Sequence, residues 1–141
     1  MVTRPIVVEL LARLHDTVEK LRVFQGRTEA QIVSDYAALW AVEHGLQIAA
    51  QCVIDICNHL VSEVSSERPA DYRELILAAG STGVLPSDFA QRLSGLAGFR
   101  NLLVHEYAKV DPAVVYQHLR EGLADFDRFA EQVRRFLAKA G

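Results

Sequence analysis

The chain has 141 residues, half of them hydrophobic and 23% charged, with only four prolines. That composition suits one folded domain spanning 1–141, able to bury roughly two-thirds of the surface its unfolded chain exposes, and argues against disorder. The net charge of −3 leaves no global basic signature, so any contact with nucleic acid has to come from a local patch.

The opening Met1-Val2-Thr3-Arg4-Pro5 lacks the apolar stretch of a signal peptide. No uncharged run reaches the roughly 20 residues of a membrane span, so a soluble, cytoplasmic protein without membrane contact is expected. Thr3 is the predicted cap of a first helix, with Pro5 tolerated in its first turn. Ile6, Leu10, Leu14, Val18 and Leu21 are expected to line its buried side, and Gly26 to end it. Thr28 and Gln31 form a capping-box pattern ahead of a Pro-free run to about Ser62. Read as one helix, that run would be about 50 Å long and would be the spine of the domain.

Along the spine, Gln47, Gln51 and Asp55 repeat every four residues, as do Asp55 and His59, giving a polar stripe among apolar neighbours. Such a stripe is either a hydrogen-bonded seam or one wall of a cleft, with Asp55, Asn58 and His59 as the cleft-lining candidates. Cys52 and Cys57, five apart on the same helix, point in different directions and are expected to be reduced core thiols. A di-iron bundle needs Glu-x-x-His pairs on two helices, and that pattern occurs nowhere in the chain, so no metal is expected.

Ser65 to Pro69 reads as a turn, Ala70 to Ala79 as a short helix closed by Gly80, and the following GSTGVLP as a loop. Ser87 is the expected cap of a helix through Phe89 and Leu93, interrupted by Gly95 and Gly98. Asp111-Pro112 restarts the chain as a cap with Pro at the first helical position. The last helix carries Leu119, Leu123, Phe126, Ala130, Val133 and Leu137 at steps of four and three, the seam of an antiparallel bundle. Arg134, Arg135 and Lys139 suit the negative end of its dipole. The fold expected is all-α, an up-and-down four-helix bundle with an additional short helix.

The stretch Arg100-Asn101-Leu102-Leu103-Val104-His105-Glu106-Tyr107 spells R-x-x-x-x-H-x-Y. On a helix Phe99, Leu102 and Leu103 share the core side, while Arg100, Asn101 and His105 fall on the opposite arc, with Arg100 and His105 about 140° apart. Tyr107 returns to the Arg100 side, and a kink at the glycines would close the gap to His105. An imidazole that exchanges protons near neutral pH beside a forked, permanent cation suits chemistry on a phosphodiester. Spacing alone does not separate that from a solvated helix face.

GFRNLLVHEY, with QIAAQCVIDICNHLV upstream and YRELILAAGSTGVLPSDFAQRLSGLAGFRN between, resembles the HepT-type branch of the HEPN superfamily, from about Pro5 to about Leu137. The resemblance implies a HEPN-like helical homodimer acting as a ribonuclease toxin, paired with a minimal nucleotidyltransferase antitoxin. It implies metal-independent RNA cleavage without a cofactor, by His105 as proton-transfer group, Arg100 as stabiliser of the phosphorane and Asn101 as an orienting donor. Products would be a 2′,3′-cyclic phosphate and a 5′-hydroxyl. It also implies that Tyr107 is where the partner attaches AMP. The alternative is a non-catalytic HEPN protein that binds nucleotide or substrate for a nucleotidyltransferase; a third is a purely structural dimer.

Overall fold

The computed structural model describes residues 4–140, with the side chains of all of these except Arg4, Tyr107 and Ala140. Thr3, the expected first cap, lies outside the described residues. Within them the protein is all-α: α1 (Arg4–Gln25), α2 (Glu29–Ser34), α3 (Tyr36–Val64), α4 (Tyr72–Ser81), α5 (Ser87–Leu93), α6 (Leu96–His105), a 3-10 turn (Tyr107–Lys109) and α7 (Pro112–Ala140). None of these helices is long and apolar enough to cross a membrane.

α3 is the spine and packs against α1, α2, α4, α6 and α7. It is shorter than the sequence suggests. The Thr28–Gln31 capping box forms as expected, but it starts only the six-residue α2. Asp35 then leaves helical geometry at φ −103°, ψ 99°, and its carboxylate accepts from the Ala38 N–H, capping a new helix. An interior Asp can satisfy a backbone donor only by breaking the helix, and here it does so. What remains is 29 residues, about 43 Å.

The long helices run up and down. Late residues of α1 meet early residues of α7: the Gln25 amide donates to Leu119 O at 3.3 Å, and Arg22 pairs with Asp127. α6 crosses α7 in the same sense, with Phe99 on His118 and, from α5, Arg92 on Asp125. The core follows: Leu119, Leu123 and Val133 of α7 are fully buried, joined by Phe129. Each such side chain contributes about 1.5–3 kcal/mol by leaving water. On α1 the buried stripe is Val7, Leu11, Leu14, Val18 and Leu21, whereas Ile6 is 41% exposed. The apolar clusters at 6–8 and 10–11 fit two registers, and packing selects the one that includes Val7 and Leu11.

α4 and α5 form a tight hairpin. A Cβ on Gly80 would come within 2.7 Å of Ala90 Cβ, and Gly83 turns the chain at φ +85°, a conformation that suits glycine. Ser87 is the first residue of α5 and makes no cap; Pro86 takes the N-cap position without a side-chain bond. Asp111 does cap α7, its Oδ1 accepting from Ala113 N–H at 2.9 Å.

Candidate active site

The motif lies along α6, whose apolar side is Leu96, Phe99 and Leu103, all buried. Phe99 stacks on His118 of α7, ring centroids 3.8 Å apart and planes 13° from parallel. Leu102, expected in the core with them, is 39% exposed, because a position one residue from Leu103 sits about 100° around the helix. Chain geometry thus turns Arg100 towards the spine.

Arg100 is half-buried and held on several sides. Its Nε–H donates to Gln51 Oε1 on α3 at 2.7 Å, and Nη1 donates to Asn101 Oδ1 at 3.0 Å. Its guanidinium carbon lies 5.2 Å from the centre of the Tyr72 ring, at the start of α4, within the reach of a cation–π contact. Gln51 donates in turn from Nε2 to Asp55 Oδ1 at 2.8 Å.

Arg100, Gln51 and Asp55 line a cavity of about 400 Å³ between α1, α3 and α6, together with Arg13, His44, Gln47, Cys52 and the apolar Leu10, Ile48 and Val104. A second groove of about 420 Å³ shares His44, Gln47 and Val104 and extends past Trp40, Glu43 and Leu103. Burial raises the Glu43 carboxyl above the usual carboxylate range. Asn58 and His59 are not among the residues lining either space; Asn58 is exposed and gives its carbonyl to Ser62 Oγ at 2.6 Å.

The expected re-aiming of Arg100 does not occur. The interruption expected at the glycines falls at Gly95, which takes the N-cap position of α6 just after Ser94 Oγ donates back to Gln91 O. Gly98 lies inside a continuous helix that runs through His105, so the gap of about 140° between Arg100 and His105 persists. His105 is the last residue of α6, exposed, and not among the residues lining the cavity.

The helix ends at His105, and Glu106 closes it by donating its N–H to Leu102 O at 2.9 Å. Tyr107 then opens the 3-10 turn; its side chain, and with it the expected place on the Arg100 side, lies outside the described residues.

Cys52 and Cys57 are free and buried. Burial pushes the Cys52 thiol up to about 11, against the pull of Arg13, and the Cys57 thiol up to about 12, so both stay protonated and weakly nucleophilic at neutral pH. Among the described residues no group of three or more His, Cys, Asp or Glu is placed to share a metal ion.

Sequence reasoning named Arg100, Asn101, His105 and Asp55 but not the residues that hold Arg100. Gln51 had a signal, its four-residue spacing to Asp55. Tyr72 and Arg13 had none, since they reach the site from other helices.

Chemically, the arrangement provides a guanidinium with two of its N–H groups engaged and, among the described residues, three of the five free for an anion, lining a cavity of mixed polar and apolar walls. An imidazole is exposed on the same helix. A family model described as "Ribonuclease HepT-like" matches residues 14–133. A "tRNA nuclease HepT" of Aphanizomenon flos-aquae is 25% identical over 134 residues, covering 94% of this chain and 91% of that protein. An "mRNA nuclease HepT" of Shewanella oneidensis is 21% identical over 129 residues, covering 92% and 96%.

Among solved structures, a toxin–antitoxin crystal structure with AMP-PNP superposes with TM-score 0.85 at 20% identity, covering 94% of this chain and 99% of that one. A tri-AMPylated Shewanella oneidensis HEPN toxin in complex with MNT antitoxin gives TM-score 0.82 at 20% identity, covering 92% and 97%. At these identities the structural likeness speaks for the fold; the sequence match, which spans most of the chain, goes further. This protein belongs to the ribonuclease HepT-like family.

Proposed function

We propose that this chain is a metal-independent endoribonuclease toxin that acts as a homodimer and is silenced by a minimal nucleotidyltransferase antitoxin. The observation that carries the proposal is the fixed guanidinium of Arg100 on the same helix as the exposed His105. In the reaction the ribose 2′-oxygen forms a bond to phosphorus and the P–O5′ bond breaks. His105 takes the 2′-hydroxyl proton or protonates the leaving 5′-oxygen. Arg100 offsets the charge growing on the non-bridging oxygens. Asn101, whose carbonyl oxygen accepts from Arg100, keeps its amide N–H groups to donate to the same phosphate. The products are a 2′,3′-cyclic phosphate and a 5′-hydroxyl.

The dimer is supported by incompleteness and by surface. One chain turns Arg100 and His105 apart, and a two-fold axis would bring a second set of groups into one cleft. Tyr36, Trp40 and Leu102 are exposed at 65%, 57% and 39%, and Trp40 borders the groove that ends at Val104. Such side chains suit the apolar part of an interface above about 1,000 Å². A stable monomer in light scattering at micromolar concentration counts against it.

Silencing would occur at Tyr107, through transfer of AMP from ATP to the phenolic oxygen with release of pyrophosphate. The solved tri-AMPylated toxin and the place of Tyr107 two residues after His105 support this reading. An added AMP would bring negative charge to the end of the motif helix, just after His105, and would repel RNA there. Intact-mass measurement after incubation with the nucleotidyltransferase, ATP and magnesium should show a gain on wild type and none on Tyr107→Phe.

The relatives are named for tRNA and for mRNA, so the test of the reaction uses a mixed pool of both. Cleavage should persist in EDTA, leave cyclic phosphate ends, and fail on an oligonucleotide with 2′-deoxyribose at the scissile position. No cleavage of any RNA, together with binding of nucleotide, would favour the non-catalytic alternative.

A further inference from the structure

We infer that Gln51, its amide fixed by Asp55, is a positioning residue that aims Arg100 at the scissile phosphate; this rests on the reading of Arg100 as the phosphate-binding group. The chain of bonds is continuous. Asp55 Oδ1 accepts from Gln51 Nε2 at 2.8 Å, and Gln51 Oε1 accepts from Arg100 Nε–H at 2.7 Å.

The chemistry of the three groups sets the direction of both bonds. A guanidinium only donates and a carboxylate only accepts, so a carboxamide between them has one orientation. Turned over, its NH₂ would face the Arg100 N–H and its oxygen would face the Asp55 carboxylate. Asp55 and Gln51 sit one turn apart on α3, the most extensively packed helix, so Arg100 is referenced to the spine and not to the open end of α6. The Tyr72 ring and Asn101 Oδ1 confine it further.

The identity of Gln51 also matters. A Glu there would pair directly with Arg100 and compete with the phosphate for its charge. The neutral amide orients the guanidinium through its neighbour's carboxylate while leaving the full positive charge for the ligand. A long side chain with several free torsions thereby meets the phosphate already aligned, which is where precise geometry acts on rate.

The experiment measures steady-state cleavage of an oligoribonucleotide, and of its Rp and Sp phosphorothioates, by wild type, Arg100→Ala, Gln51→Leu, Gln51→Glu and Asp55→Ala, each checked by circular dichroism. Gln51→Leu should lower kcat about tenfold, consistent with the cost of small misplacements, with KM nearly unchanged and the Rp/Sp preference shifted towards that of Arg100→Ala. Gln51→Glu, nearly isosteric and so expected to fold, should raise KM. Asp55→Ala should show the Gln51→Leu pattern to a smaller extent.

Wild-type kcat and Rp/Sp preference in Gln51→Leu, with Arg100→Ala impaired by about 10²- to 10⁴-fold, overturns the inference and leaves the parent reading intact. Should Gln51→Leu not fold, wild-type KM in Gln51→Glu overturns it instead. Wild-type preference in Asp55→Ala overturns the part assigned to Asp55. Wild-type cleavage by Arg100→Ala overturns the reading on which all of it rests.

Discussion

The two ends of the motif helix are built on different principles. At Arg100 the side chain is half-buried, bonded to the spine and faced by an aromatic ring from a third helix. Five residues later His105 ends α6, exposed and outside that cavity. Electrostatic stabilisation gains most from groups that need no rearrangement when charge develops. On the proposed mechanism a proton-transfer group has to meet a particular oxygen, and a second copy of the chain would complete that position at the open helix end. One chain thus supplies a preorganised half-site and an open one.

The largest expected effect is on catalysis. Arg100→Ala and His105→Ala should each lower RNA cleavage by about 10²- to 10⁴-fold with helical content unchanged by circular dichroism; near-wild-type activity in either breaks the division of labour. A second experiment asks whether the open half is closed by another copy. Mixing inactive Arg100→Ala and His105→Ala proteins under subunit exchange should restore part of the activity, because mixed dimers contain one intact Arg100 and one intact His105 in a shared cleft. No recovery, despite exchange shown by native mass spectrometry, would confine the reaction to one chain.

Stability should separate the two ends more finely. Removing Arg100 strips the spine of its bond at Gln51 and should cost about 1 kcal/mol in denaturant unfolding, while His105→Ala, exposed and uncommitted, should stay within about 0.5 kcal/mol of wild type. Equal losses would mean the contrast in burial carries no energy.

The smallest effect concerns a second imidazole. His118 of α7 stacks on Phe99, and burial lowers its pKa below the ordinary 6.5 despite the opposing pull of Glu121 and Asp125. As pH falls through that ordinary value the unfolded chain takes up the proton first, so stability present at higher pH is lost, until the folded form is protonated as well. Thermal unfolding from pH 8 to pH 5 should therefore show a steeper acid-side decline in wild type than in His118→Gln.

Much of the bundle was legible because its helices are amphipathic in only one way. Leu119, Leu123, Phe126, Ala130 and Val133 of α7 are all buried as their spacing requires. Where apolar residues adjoin, as at Ile6-Val7-Val8, spacing fits more than one register and only the neighbouring helix chooses. Asp35 was hidden for another reason: a single polar residue in a Pro-free run looks like a solvated position, and its capping bond is local backbone geometry. At the site, the stripe of Gln51 and Asp55 was visible in sequence. Its attachment to Arg100 was not, because the two positions are 49 residues apart and meet only through the packing of α6 on α3.

The meeting of α1 with α7 has a consequence for synthesis. Leu14, Val18 and Leu21 are covered in part by α7, made after the other described helices, which brings Leu119, Phe129 and Val133 to complete the same core. A ribosome-bound chain that has not yet emerged through α7 leaves this surface bare, even with α6 and its motif already outside the ribosome. Since domains generally fold as units, the cell should meet a finished enzyme only after α7 has been released, and arrested chains lacking α7 should be cut readily by protease within α1.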